Sequence, residues 1–330
     1  MLLTALLLTM APAEAAGFQA KTMRSPLSAV EVERPLIIGR GWLEFGLGAD
    51  VKLATGYWGD AGKPLDWESA KWLYTTQRAD LRYGISRRAE LYASVPFHYV
   101  KLTNEALGTN TDTFGIGDPH VGWRLEWFRR HAPTTSIISE LDMKVPTGSE
   151  SAATFIGGPN TVSTFVMSTG TPDLSISGKA RQQFGPLAVD ATLGYVHRFS
   201  AVTQYVIEVE QYQFLGRFRP GSEVRAGLGA LVQLGPVAVG GDGLFRLRSA
   251  AAMGTTSSGI IPDAHLDPIE GTEGWSFDVN PKAVVNISRG VDVNVGAGIP
   301  VRGEGLGLFP LEEITPTRGI TWSGSLELRY

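Results

Sequence analysis

The sequence has no cysteine among its 330 residues, which excludes disulfide bonds, cysteine nucleophiles and thiolate metal sites. It also has no cluster of basic residues and carries a formal net charge of -4, so nucleic acid is not expected as a partner. The short motifs of serine hydrolases, zinc peptidases and P-loop nucleotide-binding proteins are missing as well. The sequence therefore predicts no catalytic residues, no metal and no cofactor.

Long apolar runs are also missing, since no segment beyond the N-terminus has the length of a transmembrane helix. The first sixteen residues instead have the composition of a secretory signal peptide. An apolar run precedes Ala13-Glu-Ala15, which fits an A-x-A cleavage site, although no Lys or Arg comes before that run. We expect a signal peptide over 1–16, a periplasmic lead-in or small plug over 17–39, and the main domain over 40–330.

The feature that is abundant is alternation of apolar and polar residues. In residues 42–53 the apolar positions include Leu43, Phe45, Leu47 and Val51, so one face of a strand would be apolar. The pattern recurs at about ten residues or more, the length a tilted strand needs to cross a bilayer. The expected strands are 40–53, 71–83, 90–101, 114–128, 135–145, 172–184, 187–199, 222–234, 237–248, 275–287, 291–302 and 319–330.

The connections between these strands alternate between long loops and short turns, such as Gly185-Pro186 and Gly235-Pro236. Bacterial barrels have this pattern, with long loops outside and tight turns facing the periplasm. Because open sheet edges cannot exist in hydrocarbon, the strands must close. The predicted fold is all-β, a single up-and-down antiparallel transmembrane β-barrel of about twelve strands in the bacterial outer membrane. A separate hairpin in 200–221, otherwise a loop or strand extension, would give fourteen.

The polar faces of the strands are predicted to converge on the lumen. Asp118 and Lys144 should lie at similar heights, Arg124 should lie near Glu140 and Asp142, and Lys179 could reach Glu140. Such a ladder of ion pairs would be structural, because charges in a narrow lumen must pair to offset desolvation. The predicted lumen-lining residues are Glu44, Asp50, Lys52, Arg78, Asp80, Arg82, His98, Asp118, His120, Arg124, Glu126, Glu140, Asp142, Lys144, Asp173, Lys179, Arg181, Arg225, Asp242 and Arg246.

Three segments resemble an outer-membrane family named for the meta-pathway of phenol degradation. Residues 115–126, with Gly115-Ile-Gly-Asp118, resemble its Gly-Asp strand motif; residues 141–148 and 171–195 are similar to the strand and hairpin that follow. The resemblance implies a barrel of about twelve strands that passes small, often hydrophobic or aromatic, molecules. It carries no catalytic residues. The C-terminal strand, 319–330, resembles the signal that outer-membrane assembly machinery recognises.

The expected function is a passive channel for small solutes, including hydrophobic or aromatic ones, through an ion-paired polar lumen. The expected partners are outer-membrane lipid, the assembly machinery acting on 319–330, and a small-molecule solute. Two alternatives stay open at this point. One is a closed structural or binding barrel that acts through its extracellular loops, and the other is a hydrolase at the barrel rim.

Overall fold

The computed structural model describes residues 31–58, 62–66, 70–105, 109–131, 134–147, 170–207, 212–255, 266–270, 272–288, 290–304 and 317–330. A single-turn 3-10 helix, Glu31–Glu33, precedes the first strand. No helix within these ranges is both long and apolar enough to span a membrane. The strands are β1 (Leu43–Ala54), β2 (Gly56–Trp58), β3 (Pro64–Asp66), β4 (Ala70–Gly84), β5 (Ala89–Asn104), β6 (Thr109–Ile116), β7 (His120–His131), β8 (Thr134–Lys144), β9 (Asp173–Phe184), β10 (Leu187–Arg198), β11 (Ala201–Ile207), β12 (Tyr212–Arg219), β13 (Glu223–Leu234), β14 (Val237–Arg248), β15 (Ala252–Thr255), β16 (Asp267–Pro268), β17 (Gly274–Ser288), β18 (Val291–Glu304), β19 (Thr317–Arg318) and β20 (Thr321–Arg329).

The main sheet is a closed antiparallel barrel. Its neighbours run β1, β4, β5, β7, β8, β9, β10, β13, β14, β17, β18 and β20, and β20 pairs back onto β1. Each neighbouring pair is antiparallel, so every barrel strand finds hydrogen-bonding partners on both sides. Such closure leaves no open sheet edge for hydrocarbon to desolvate. The prediction of an all-β, twelve-stranded up-and-down barrel is confirmed.

The strand predicted over 114–128 is interrupted in the structure. β6 pairs with the upper part of β5, β7 pairs with its lower part, and residues 117–119 between them belong to neither strand. Pro119 has no backbone N–H to give to a ladder, which favours a break at this point. The residues just before 114, predicted as a loop, form part of β6.

Residues 200–221 form neither a plain loop nor an additional barrel strand pair. β11 and β12 form a hairpin that continues β10 and β13 beyond short breaks, and this hairpin pairs with β15 in a separate four-stranded sheet. The fourteen-strand alternative is therefore wrong. The loops predicted over 54–70 and 250–274 likewise contain the short strands β2, β3, β15 and β16.

The outer face of the barrel is largely apolar. On β13, for example, Val224, Leu228, Val232 and Leu234 are 39%, 70%, 37% and 60% exposed. A water-soluble protein does not expose such a continuous apolar surface, whereas a transmembrane barrel requires one. The fold is that of an outer-membrane β-barrel, as predicted.

Candidate functional site

The candidate site is the inner face of the barrel, where side chains alternate with the exposed apolar ones. Strand geometry sends successive residues to opposite faces, so the polar set of each strand turns inward together. On β4 this set includes Arg78, Asp80 and Arg82, and on β9 it includes Lys179 and Arg181. The predicted polar residues occupy this face, except Asp118, which lies in the break before β7.

A belt of alternating charges crosses seven neighbouring strands near the end of the barrel that carries the short turns. We call it the lower belt. Arg82 Nη1 lies 2.6 Å from Glu44 Oε1, and Arg82 Nη2 lies 2.8 Å from Glu90 Oε1. Arg124 Nη1 lies 3.0 Å from the same Glu90 oxygen. In strand order from β18 to β8, its members are Asp292, Arg329, Glu44, Arg82, Glu90, Arg124 and Glu140.

The lower belt is strongly desolvated, since Glu90 is 0%, Asp292 1% and Glu44 3% exposed. An isolated buried carboxylate would cost several kcal/mol, on the order of the effective penalty for burying an ion in a protein. Here Glu44 and Glu90 each lie between cations of two neighbouring strands, and Asp292 contacts both Arg329 and Arg34, which offsets that cost. The alternation of charge follows from register, because Glu44 is directly opposite both Arg329 and Arg82.

An upper belt lies where the strands approach the long connections. Lys144 Nζ is 2.7 Å from Asp173 Oδ2 and 3.9 Å from Asp118 Oδ2. Arg198 Nε is 3.6 Å from the same oxygen of Asp173, and Arg198 Nη2 is 3.6 Å from Glu223 Oε2. Both cations are only 2% exposed. This belt links the barrel strands β8, β9, β10 and β13. It lies at the level where β6 and the four-stranded sheet of β11, β12, β15 and β16, here called the upper sheet, begin.

Between the belts, an aromatic and two carboxylates form a compact cluster. The Tyr92 hydroxyl is 2.8 Å from Asp142 Oδ1 and 3.2 Å from Glu140 Oε1, and the Arg124 guanidinium lies 4.6 Å from the Tyr92 ring centroid. His120 Nδ1 is 2.7 Å from Asp142 Oδ2. Gly122 leaves the space that the Tyr92 ring occupies, because a Cβ at Gly122 would lie 2.5 Å from Tyr92 Cζ.

Several of the remaining predicted residues make pairs around the inner face. Arg78 lies 3.3 Å from Asp50, and Asp242 lies 3.3 Å from Lys282. Other partners are Ser136 for Glu126, Asp190 for Arg181, Glu223 for Arg225, Asp278 for Arg246, and Tyr74 and Thr76 for His98. The expected contact between Lys179 and Glu140 is not among the ion pairs of the described residues, where Glu140 is bound by Arg124 instead.

The predicted set omitted several residues of this face. Glu90, Asp190, Arg198, Glu223 and Arg329 lie on polar faces that alternation identifies, so the same pattern could have included them. Asp278, Lys282 and Asp292 lie on β17 and β18, whose inward residues were not assigned from the sequence. Arg34 gives no strand signal, because it belongs to the segment before β1.

Residues 31–41 of that segment run across the barrel at the turn end and contact opposite sides of its wall. The Ile38 amide donates to Glu90 Oε2 at 2.7 Å, the Thr134 hydroxyl donates to the Glu33 carbonyl at 2.9 Å, and Arg34 forms an ion pair with Asp292. The wall residues bonded to the segment are Arg82, Glu90, Thr134, Ser136, Arg181, Gln233 and Asp292.

The same segment is fixed by apolar burial and by close backbone packing. Val32 and Ile37 are each 1% exposed, and Val32 packs with Ala188 and Leu231 of the wall. Gly84 must be glycine, since a Cβ there would lie 1.5 Å from the Gly39 carbonyl oxygen. The segment therefore contacts seven strands of the barrel, although it is not itself part of the sheet.

Residues 70–186 match a family model described as "Putative MetA-pathway of phenol degradation". Over this segment the chain is similar to that family. The predicted resemblance is confirmed there. No curated protein matches the sequence.

Among solved structures, the COG4313 outer membrane channel from Pseudomonas putida F1 is similar, with a TM-score of 0.65 and 10% identity, covering 88% of this chain and 96% of that one. The translocator domain of the autotransporter NalP from Neisseria meningitidis has a TM-score of 0.50 and 10% identity, covering 87% of this chain and 88% of that one. At such identities the likeness shows the fold alone, an outer-membrane barrel.

Proposed function

We propose that this chain is a passive outer-membrane channel for small solutes. The observation that carries the proposal is the polarity of the inner face. Its side chains are charged and paired around the barrel, whereas a closed structural core would be apolar. A wall of this kind passes solutes according to their size and charge and performs no covalent chemistry. Under this proposal the predicted residues of the inner face line the path of the solute.

The likeness in fold to a Pseudomonas putida protein described as an outer membrane channel supports this function. The family description, which refers to phenol degradation, favours a small aromatic or otherwise hydrophobic solute. We further propose that the β20 strand and terminal Tyr330 are recognised by the outer-membrane assembly machinery, since their outward apolar residues alternate with polar ones.

The segment 31–41 bears on how open the channel is. Because it bonds to opposite sides of the wall at the turn end, we propose that it acts as a small plug that narrows the periplasmic mouth. The rest of the stretch predicted as lead-in or plug, 17–30, lies outside the described residues, as does the proposed signal peptide. In this proposal solutes pass beside the segment or after its displacement.

Single-channel recording in planar lipid bilayers tests the proposal. We expect discrete conductance steps from the full chain and larger steps after deletion of residues 31–38, because the deletion removes side chains from the mouth. Arg34→Gln, which removes one ion pair to the wall, should give an intermediate effect. Absence of steps from both the full chain and the deletion variant would show that the barrel is closed and that the channel function is wrong.

A further inference from the structure

Four arginines face inward where β10, β13 and β14 reach the long connections. Arg198 ends β10, Arg225 lies near the start of β13, and Arg246 and Arg248 lie at the end of β14. In the register of β13 and β14, Arg225 is directly opposite Arg246, and Glu223 is directly opposite Arg248. The inner face of adjacent strands thus places two guanidinium groups side by side at this level.

Carboxylates are fewer than guanidinium groups in this cluster. Glu223 contacts both Arg198, at 3.6 Å, and Arg225, at 2.5 Å, while Asp278 contacts Arg246 at 2.6 Å. With Asp173 of β9, which contacts Arg198 at 3.6 Å and is shared with Lys144, three carboxylates lie around the four arginines. In the lower belt, by contrast, cations and carboxylates alternate strand by strand.

The side chains of Arg225 and Arg246 are accessible from the lumen. Their side chains are 42% and 36% exposed, against 2% for Arg198. The Arg246 Nε–H is buried and donates to no acceptor in the part of the chain that the structure describes. Both guanidinium groups thus combine contact with a carboxylate on one side and access to the lumen on the other.

Like charges directly opposite each other on neighbouring strands are destabilising. A planar guanidinium presents two parallel N–H groups that match the two oxygens of a carboxylate, and such charge-assisted pairs are among the stronger hydrogen bonds. An oxyanion placed between Arg225 and Arg246 would relieve their repulsion and accept hydrogen bonds from both. Water alone relieves it less, because it carries no charge.

We propose that Arg225 and Arg246 form a binding site for the carboxylate of a small organic anion at the loop end of the lumen. This inference rests on the proposed channel function. It adds that the solute carries a carboxylate in addition to its aromatic or hydrophobic part. The buried Arg198 and Glu223 hold the site in place and do not contact the solute.

Equilibrium binding to the purified full chain in detergent tests the site without any conductance measurement. Isothermal titration with benzoate is compared with neutral benzyl alcohol and with inorganic phosphate. Loss of one charge-assisted hydrogen bond, about 1.5–3 kcal/mol, corresponds to roughly tenfold or more in affinity. We therefore expect Arg225→Gln and Arg246→Gln each to weaken benzoate binding about tenfold or more, and benzyl alcohol not to compete.

Arg78→Gln is the matched control, because Arg78 lies on the same inner face, is 46% exposed and has its own carboxylate, Asp50. It should bind benzoate as the unchanged chain does, and each variant must keep the heat-modified gel mobility of a folded barrel. The site is wrong if benzoate does not bind or if all three variants weaken it equally. Tighter binding of phosphate than benzoate would overturn the assignment to an organic carboxylate. Conductance without benzoate binding would leave the channel function intact and remove only this site.

Discussion

Glu44 of the first barrel strand and Arg329 of the last lie directly opposite each other and form an ion pair across the seam where the barrel closes. Their side chains are 4% and 7% exposed. The seam therefore joins two residues that are 285 positions apart in the sequence through desolvated charges as well as through the backbone ladder.

Arg329→Gln should destabilise the barrel. Removing one partner of a buried ion pair costs about 3–5 kcal/mol, and we expect the lower end of that range because Arg82 remains beside Glu44. The free energy of unfolding, measured by urea titration of heat-modified gel mobility, gives the value. Lys71→Gln is the control, since the Lys71–Glu105 pair is 58% and 65% exposed. Its loss should cost less than about 1 kcal/mol. Equal costs for both variants would contradict a structural role of the seam pair.

Much of the barrel could be predicted from the sequence, because alternation is a local signal. The predicted strand 237–248 agrees with β14 at both ends, and the turn at Gly235 adopts the positive φ of 64° that favours glycine. Closure then followed from the exclusion of open edges in hydrocarbon, and the strand number followed from the alternation of long loops and short turns. The inward position of polar residues follows from the same two-residue period.

The parts that could not be predicted depend on contacts between distant residues. The break at Pro119 requires knowing that β5 pairs with both β6 and β7. The path of the segment 31–41 is set by partners such as Asp292, which is 258 positions from Arg34, so no local pattern indicates it. The upper sheet likewise depends on β12 pairing with β15 across an intervening barrel hairpin.

The outer face should tolerate charge according to depth. Leu228 lies in the middle of β13 and is 70% exposed, while Leu234 ends the strand at the turn and is 60% exposed. In transmembrane barrels an Arg on the lipid face costs about 2–4 kcal/mol at the midplane and about 0–1 near the interface. We expect Leu228→Arg to lower the free energy of unfolding in liposomes by that larger amount and Leu234→Arg by the smaller one. Similar small costs at both sites would contradict the placement of this face in hydrocarbon.

Tyr92→Phe should weaken the cluster between the belts. The hydroxyl lies 2.8 Å from Asp142 Oδ1 and also close to Glu140, so its removal takes one donor from this pair of carboxylates. Hydrogen bonds to charged groups contribute about 1.5–3 kcal/mol, and we expect a loss of stability in that range. Tyr195→Phe is the matched control, because Tyr195 is 45% exposed on the outer face. An unchanged free energy of unfolding for Tyr92→Phe would mean that the hydroxyl is not needed there.

Gly84→Ala tests whether the segment 31–41 is held at the turn end. The added Cβ would lie 1.5 Å from the Gly39 carbonyl oxygen, whereas Gly84 now exchanges backbone hydrogen bonds with Gly41 and Trp42 at 2.8 and 2.9 Å. The segment must therefore move away from the wall. We expect faster hydrogen exchange at the amides of residues 36–41 and larger conductance steps in bilayers.

Gly178→Ala is the control for that experiment, because a Cβ at Gly178 would meet its nearest atom at an ordinary 3.8 Å. It should leave both the exchange rates and the conductance unchanged. If Gly84→Ala speeds exchange but leaves conductance as it was, the segment is displaced without widening the path, and its role as a plug is wrong. If neither changes, the packing of Gly39 on Gly84 does not hold the segment, and the buried Val32 and Ile37 together with the bonds to the wall must anchor it.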